Sequence, residues 1–222
     1  MPYNLVEIEE DLQYITVASK RDDFEHALVR LILSTLADAE EVACLTKRDI
    51  SDRETEGGVH SVYLRKGGRS RRLPVDEKTY IALRKISEGL SGRERIFNLS
   101  ESEIDEIIAR HSPEGKVYTL SGLRRAVRKI LEDNLLGLRA DDISELSFEE
   151  LCDFMKEFHP MFSGMWDLDD DDVAYDYFLM LSERHGISRI SEMSELSGES
   201  EERIERLMSR KWYLNYLDSS SE

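Results

Sequence analysis

Two adjacent glycines place the strongest constraint on this chain. Gly67 and Gly68 lie inside Tyr63–Pro74, YLRKGGRSRRLP, between an alternating run and a closing Leu73-Pro74. Glycine takes positive φ without steric cost, so a Gly-Gly pair between such runs predicts a tight antiparallel hairpin. The hairpin carries Arg65, Lys66, Arg69, Arg71 and Arg72, five cations within eight residues. A donor cluster of this kind can track a phosphate backbone. The same charges also suit an edge hairpin guarded against strand addition.

Charge along the chain is uneven. The net charge of −17 over 222 residues argues against a generic nucleic-acid binder. Residues 1–133 hold 22 basic and 25 acidic side chains, a net of −3, whereas residues 134–222 hold 8 and 22, a net of −14. The expected organisation is therefore a nearly balanced domain over 1–133, an acidic helical region over 134–218 and a disordered tail over 219–222. Arginine outnumbers lysine 21 to 9. A lysine-poor acidic surface suits a salty interior, where net charge maintains solubility. No run approaches roughly eighteen apolar residues, so no membrane span is expected. The N-terminus, MPYNLVEIEEDLQY, lacks the apolar core of a signal peptide. Cys44 and Cys152 fall in apolar helical patterns and read as reduced core residues of a cytoplasmic protein. No Cys/His spacing resembles a zinc site, and neither a metal nor a cofactor is expected.

Periodicity predicts mostly helices. Leu5, Ile8, Leu12 and Ile15 mark a short one, and Asp22-Asp23 can cap the next, over Phe24, Leu28, Leu31 and Ile32. A helix over Asp38–Leu45 is followed by a turn over Glu54–Gly58, then by strands over Val59–Leu64 and Arg71–Val75. Asp76 opens another helix, and Ser100 with Glu103 forms a capping-box signature. TLSGLRRAVRKILEDNLL, residues 119–136, carries an apolar stripe of Leu120, Leu123, Val127, Ile130 and Leu131, with a basic face holding Arg128 and Lys129. Arg124 sits at the border of that stripe, where a fixed partner is expected.

In their order, these features over residues 5–133 resemble the C-terminal catalytic domain of tyrosine recombinases, the phage integrases. The run over 34–50, STLADAEEVACLTKRDI, matches that family's first motif at Glu41, Leu45, Asp49 and Ile50. Lys66-Gly67-Gly68 and Arg72-Leu73-Pro74 fit its lysine hairpin, and Thr119–Arg125 fits the frame of its His-x-x-Arg helix. The resemblance implies a mainly α fold with a small antiparallel β-sheet. It also implies double-stranded DNA as partner, with Lys66 and Arg124 as family-matched catalytic remnants. In the family, two arginines grip the scissile phosphate, a lysine protonates the leaving 5′ oxygen, and a tyrosine attacks to form a 3′-phosphotyrosyl link.

The chain departs from that pattern at three positions. Asp38 stands where the first arginine belongs, Ser121 stands at the histidine, and the window Leu151–Phe158 holds no tyrosine. A carboxylate about 4 Å from a phosphate repels it by about 1 kcal/mol in water-like surroundings and about 4 kcal/mol at an effective dielectric near 20. Phosphoryl transfer needs cations at that place, so strand cleavage is expected to be lost. The alternative is a displaced chemistry using His159 with Tyr175 or Tyr177.

The acidic region has its own signals. Ser147 and Glu150 make a second capping box, and Pro160 ends that helix. MFSGMW, residues 161–166, reads as core or as an exposed partner site. Asp167 and Asp169–Asp172 read as helix capping; they lack the alternating spacing and glycine of a calcium loop. Residues 187–210 read as a helix–turn–helix, but its second helix opens on Glu199, Glu201 and Glu202, which face phosphates poorly. Trp212, Tyr213, Tyr216 and Leu217 form an aromatic end.

Two functions follow. One is a catalytically inactive, integrase-like DNA-binding protein, a regulator or accessory factor of a mobile or viral element. Its sign is one positive patch made by Arg65, Lys66, Arg69, Arg71, Arg72, Arg124 and Arg125. The other is a protein-interaction module that kept the fold, with a homo-oligomer or protein partner held through the C-terminal helices. Its sign is those cations paired with Asp38, Glu40 and Glu41. In either case the acidic region can fold over the basic site.

Overall fold

The computed structural model describes residues 4–52, 59–134 and 146–209. The turn expected at 54–58, the aromatic end at 212–217 and the tail at 219–222 lie outside them. The architecture is mainly helical with a small antiparallel sheet, in the order α1 (Leu5–Ala18), α2 (Asp23–Thr35), α3 (Ala39–Cys44), β1 (Ile50–Ser51), β2 (His60–Lys66), β3 (Arg69–Val75), α4 (Glu77–Ile86), α5 (Glu101–Arg110), α6 (Leu120–Asn134), α7 (Phe148–Phe158), α8 (Asp171–Arg184), α9 (Ile190–Ser197) and α10 over 201–209. Among the described residues, no helix is long and apolar enough to cross a membrane.

Helix α2 is the centre of the packing, and its sequence explains why. The Asp22 carboxylate accepts from the Phe24 and Glu25 N–H groups and starts the helix. Residues 27–35 are then all buried, so this helix is covered on every side. Apolar side chains from Ile8 to Trp166 form one cluster around it. A second cluster joins Val17 and Ala18 to Leu168, Tyr177, Phe178, Leu181, Met193, Leu196, Ile204 and Leu207. Helix α1 contributes to both, because Ile8, Leu12 and Ile15 face the first cluster and Val17 and Ala18 the second. The apolar packing thus divides between Trp166 and Leu168, later than the charge boundary at 134. Within MFSGMW, Met161 and Trp166 are core, whereas Met165 is exposed.

One charged side chain sits in the middle of α2. Arg30 is 1% exposed; it donates to Asp76 at 2.6 Å, to Asp167 at 2.8 Å and to the Thr79 hydroxyl at 3.1 Å. Ser34 and Thr79 hydroxyls satisfy the second Asp76 oxygen at 3.1 and 2.5 Å. Burial opposes the charge on both Arg30 and Asp76, but their mutual attraction wins; the guanidinium is held above its ordinary range and the Asp76 carboxyl below its own. This network ties α2 to the start of α4 and to the segment before α8. Removing a single partner leaves buried charge uncompensated. Arg30→Met is therefore expected to cost about 3–5 kcal/mol in a urea unfolding midpoint, and a loss under about 1 kcal/mol would contradict the assignment.

The basic hairpin as a candidate phosphate site

Strands β2 and β3 pair from His60 opposite Val75 to Lys66 opposite Arg69, with Gly67 and Gly68 as a two-residue turn at φ of +53° and +78°. Both central residues at positive φ fit the twist of a right-handed hairpin, and only glycine takes the pair cheaply. The strands are two residues longer toward the turn than the sequence pattern predicts: Arg65, Lys66, Arg69 and Ser70 all pair. β1 adds on the other side of β2, with Ile50 opposite Val62.

Strand geometry then separates the cations. Successive side chains point to opposite faces, while directly paired residues share one. Lys66, Arg69 and Arg71 fall on the face of Val62 and Leu64; Arg65 and Arg72 fall on the other with Tyr63. The five cations are not one patch.

Most of them meet partners from within the chain. Helix α3 opens on a capping box: the Asp38 carboxylate accepts from the Glu41 N–H at 3.0 Å, and Glu41 accepts from the Asp38 N–H at 3.0 Å. These two acidic residues and Glu40 face the hairpin. Lys66 Nζ lies 2.5 Å from Asp38 Oδ2, the Gly67 N–H donates to Glu40 at 3.1 Å, and the Arg71 guanidinium donates to both Glu41 oxygens at 2.7 and 2.8 Å. On the other face, Arg65 lies 2.5 Å from the buried Asp49 carboxylate. The Arg72 guanidinium carbon sits 3.7 Å from the Phe148 ring centroid, under α7. Among the described residues, Arg69 is exposed and carries no ion pair.

Arg124 joins the corner from α6. Its Nε donates to the Leu36 carbonyl at 2.9 Å, the fixed partner expected at the border of that stripe. Leu36 ends α2 at φ +54°, a left-handed conformation that costs a branched residue energy, and the arginine pins its carbonyl there. Burial raises the Asp38 carboxyl's pKa, but Lys66, the Glu41 N–H and the nearby Arg124 outweigh it, and Asp38 lies below its ordinary range. The Asp38 bond in turn holds Lys66 above its own range. The corner therefore brings together Lys66, Arg124 and an ionised Asp38. Arg125 and Arg128 are exposed on α6.

The displaced candidates lie elsewhere. His159 is 1% exposed; its Nε2 donates to the Leu33 carbonyl at 3.1 Å, and Nδ1 accepts from the Met161 N–H at 3.2 Å. Tyr177 is fully buried in the second cluster, with no hydrogen-bond partner for its hydroxyl, and burial pushes its phenol well up. A nucleophile so enclosed cannot reach a phosphate without unpacking α8. Tyr175 is half-buried on the same helix. In the helix–turn–helix-like unit, Glu201 and Glu202 are exposed, while Arg203 is paired with Glu199 and Asp171, and Arg206 with Asp171. Asp170 caps α8 through the Asp172 and Val173 N–H groups. Among the described residues, no group of His, Cys, Asp and Glu is placed to hold a metal.

Sequence reasoning missed Arg30, whose signal is a lone arginine inside an apolar run, LVRLIL. It also missed the split of the hairpin cations, which the alternation of residues 65 and 66 already encodes.

No family model matches the chain. It is 34% identical over 207 residues, 92% of this chain and 93% of the relative, to an uncharacterized protein of Archaeoglobus fulgidus, and it belongs to the same family as that protein. Among solved structures it is similar to the XerA recombinase, at a TM-score of 0.45 and 13% identity over 79% of this chain and 64% of that one. It is also similar to the XerH site-specific recombinase bound to its difH substrate, at a TM-score of 0.46 and 16% identity over 75% of this chain and 54% of that one. The chain thus spans under two thirds of either recombinase's length.

The environment of His159 has a pH consequence. Burial pushes its pKa down to about 4. The unfolded chain binds that proton first, near pH 6.5, so the stabilisation is complete above about 6.5 and is lost as pH falls toward 4. The loss is of the order of 3 kcal/mol. His159→Gln, which keeps a donor and an acceptor, is expected to flatten the urea midpoint against pH across that window. An unchanged slope would contradict a buried neutral His159.

Proposed function

We propose that this chain is a recombinase-like domain that performs no strand cleavage and works by binding a protein partner, its phosphate-gripping corner being filled by its own carboxylates. The observation that carries this reading is the Lys66 ammonium 2.5 Å from the Asp38 carboxylate. Resemblance to the tyrosine recombinases rests on the order of motifs at Glu41–Ile50, Lys66–Gly68, Arg72–Pro74 and Thr119–Arg125. Within that frame, the group that would protonate a leaving oxygen is bonded to the residue standing where a phosphate-gripping arginine belongs.

Electrostatics favours protein over DNA. A phosphate arriving at Lys66 has to displace Asp38 and then sit beside it, at a repulsion of about 4 kcal/mol for a 4 Å approach at an effective dielectric near 20. Arg65 and Arg71 are spent on Asp49 and Glu41, and Arg72 is covered by Phe148. The partner surface we assign to the acidic helical region, where Glu192, Glu195, Glu201, Glu202 and Glu205 are exposed. A basic or polar protein surface, including a basic face of a second copy, complements it.

DNA binding remains the competing reading, favoured by the exposed Arg69, Arg125 and Arg128. The two are separated by electrophoretic shift with mixed-sequence duplex DNA at two salt concentrations. Wild type is expected to bind weakly. Asp38→Asn/Glu41→Gln, in which asparagine keeps the helix cap, is expected to bind about tenfold tighter at low salt and with a steeper salt dependence. Tight, salt-sensitive binding by wild type that Lys66→Ala abolishes would overturn the proposal and restore DNA as the partner.

A further inference from the structure

A cleft lies away from the hairpin. It encloses about 670 Å³ between the start of α1, the segment 116–119 and the first half of α6. Its far wall is cross-linked by hydrogen bonds and ion pairs. Asp11, 3% exposed, accepts from Lys116 Nζ at 2.7 and 2.9 Å and from the Tyr118 hydroxyl at 2.6 Å, and Lys116 also bonds Glu7 at 2.7 Å. Burial disfavours the Lys116 charge, but its bonds to the two carboxylates outweigh it and keep the group cationic. This end of the cleft has spent its charges internally.

At the opposite end one guanidinium has not. Arg125 lines the cleft from α6, is exposed, and carries no ion pair among the described residues. Lys129 lies one turn further along the same wall. Between the ends the lining is apolar, with Ile8 and Ala126 on the helices and the Tyr118 side chain on the loop. Val117 lines the cleft and is 79% exposed, the most exposed of the large apolar side chains among the described residues. An apolar side chain held in water beside a cleft with one unspent guanidinium is the arrangement of a ligand site rather than of a core edge.

We propose that this cleft binds a small amphipathic organic monoanion, a carboxylate on Arg125 with an acyl or aryl body against Val117, Ile8 and Ala126. A guanidinium offers parallel donors that match a carboxylate. A polyanion such as a nucleotide is disfavoured, because its further charges meet Glu7 and Asp11 within the same cleft. A cation of the same shape is disfavoured by Arg125 and Lys129. The site does not depend on the reading of the hairpin, since it shares no side chain with Lys66, Asp38 or Glu41.

The test is isothermal titration of the full chain with decanoate below its micelle concentration, beside decyltrimethylammonium and ADP. Saturable one-to-one binding of decanoate is expected, with each of the other two at least about tenfold weaker. Arg125→Glu and Val117→Asp are each expected to weaken decanoate about tenfold, and Arg125→Lys, which keeps the charge but loses the parallel donors, to weaken it by less than Arg125→Glu. Both side chains are exposed, so unfolding does not confound the result; an unchanged melting temperature checks this. Absence of saturable decanoate binding, equal binding of the cation, or affinity untouched by Arg125→Glu would each overturn the proposal.

Discussion

Arg30 is the interaction on which the rest of the structure depends. It sits in a helix covered on all sides over residues 27–35, and its guanidinium holds Asp76 and Asp167 from two distant parts of the chain. A buried arginine is tolerated only because two carboxylates and a hydroxyl satisfy it, so the fold is specified as much by this polar knot as by the apolar cluster around it. Asp167 also ties the acidic half to α2. Phe154, Met155, Met161 and Trp166 belong to the first cluster, so these residues of the acidic half are part of the hairpin domain's core. A truncation at 134 would remove both Asp167 and these side chains, which makes point substitutions the proper probe of the hairpin.

From that frame the hairpin corner follows. Helix α2 ends at Leu36, pinned by Arg124, and the chain turns directly into the capping box of α3. The turn delivers Asp38, Glu40 and Glu41 to the hairpin face that bears Lys66, Gly67 and Arg71. Capping and charge pairing are thus done by the same carboxylates: Asp38 and Glu41 each satisfy a free backbone N–H of α3 and a cation of the hairpin. A helix start is a natural place for acidic side chains, because the dipole and the unpaired N–H groups both favour them. Once those side chains also reach the hairpin, the corner offers a phosphate less than its count of arginines suggests.

Much of this was legible in the sequence. The Gly-Gly turn, the capping boxes at Ser100 and Ser147 and the capping role of Asp170 are local, and local chemistry decides them. The apolar stripes of α2 and α6 were equally plain. Pairing of the hairpin cations with Asp38, Glu40 and Glu41 was one of two arrangements the sequence left open, and Lys66 does meet Asp38. What the sequence concealed is pairing over longer distance: Arg30 and Asp167 are 137 residues apart, and Phe148 reaches Arg72 from beyond the charge boundary. A cluster of cations in sequence reads as a patch, yet alternation along a strand sends neighbours to opposite faces. That rule alone separates Arg65 from Lys66 and was available without a structure.

The central claim is that Asp38 and Lys66 neutralise each other in solution. The most direct measurement is an NMR titration of the Asp38 carboxyl carbon in wild type and in Lys66→Met. The expected midpoint in wild type lies below the ordinary aspartate range and moves up when the ammonium is removed. An ordinary midpoint that Lys66→Met leaves unchanged would contradict the pairing and leave Lys66 available to phosphate.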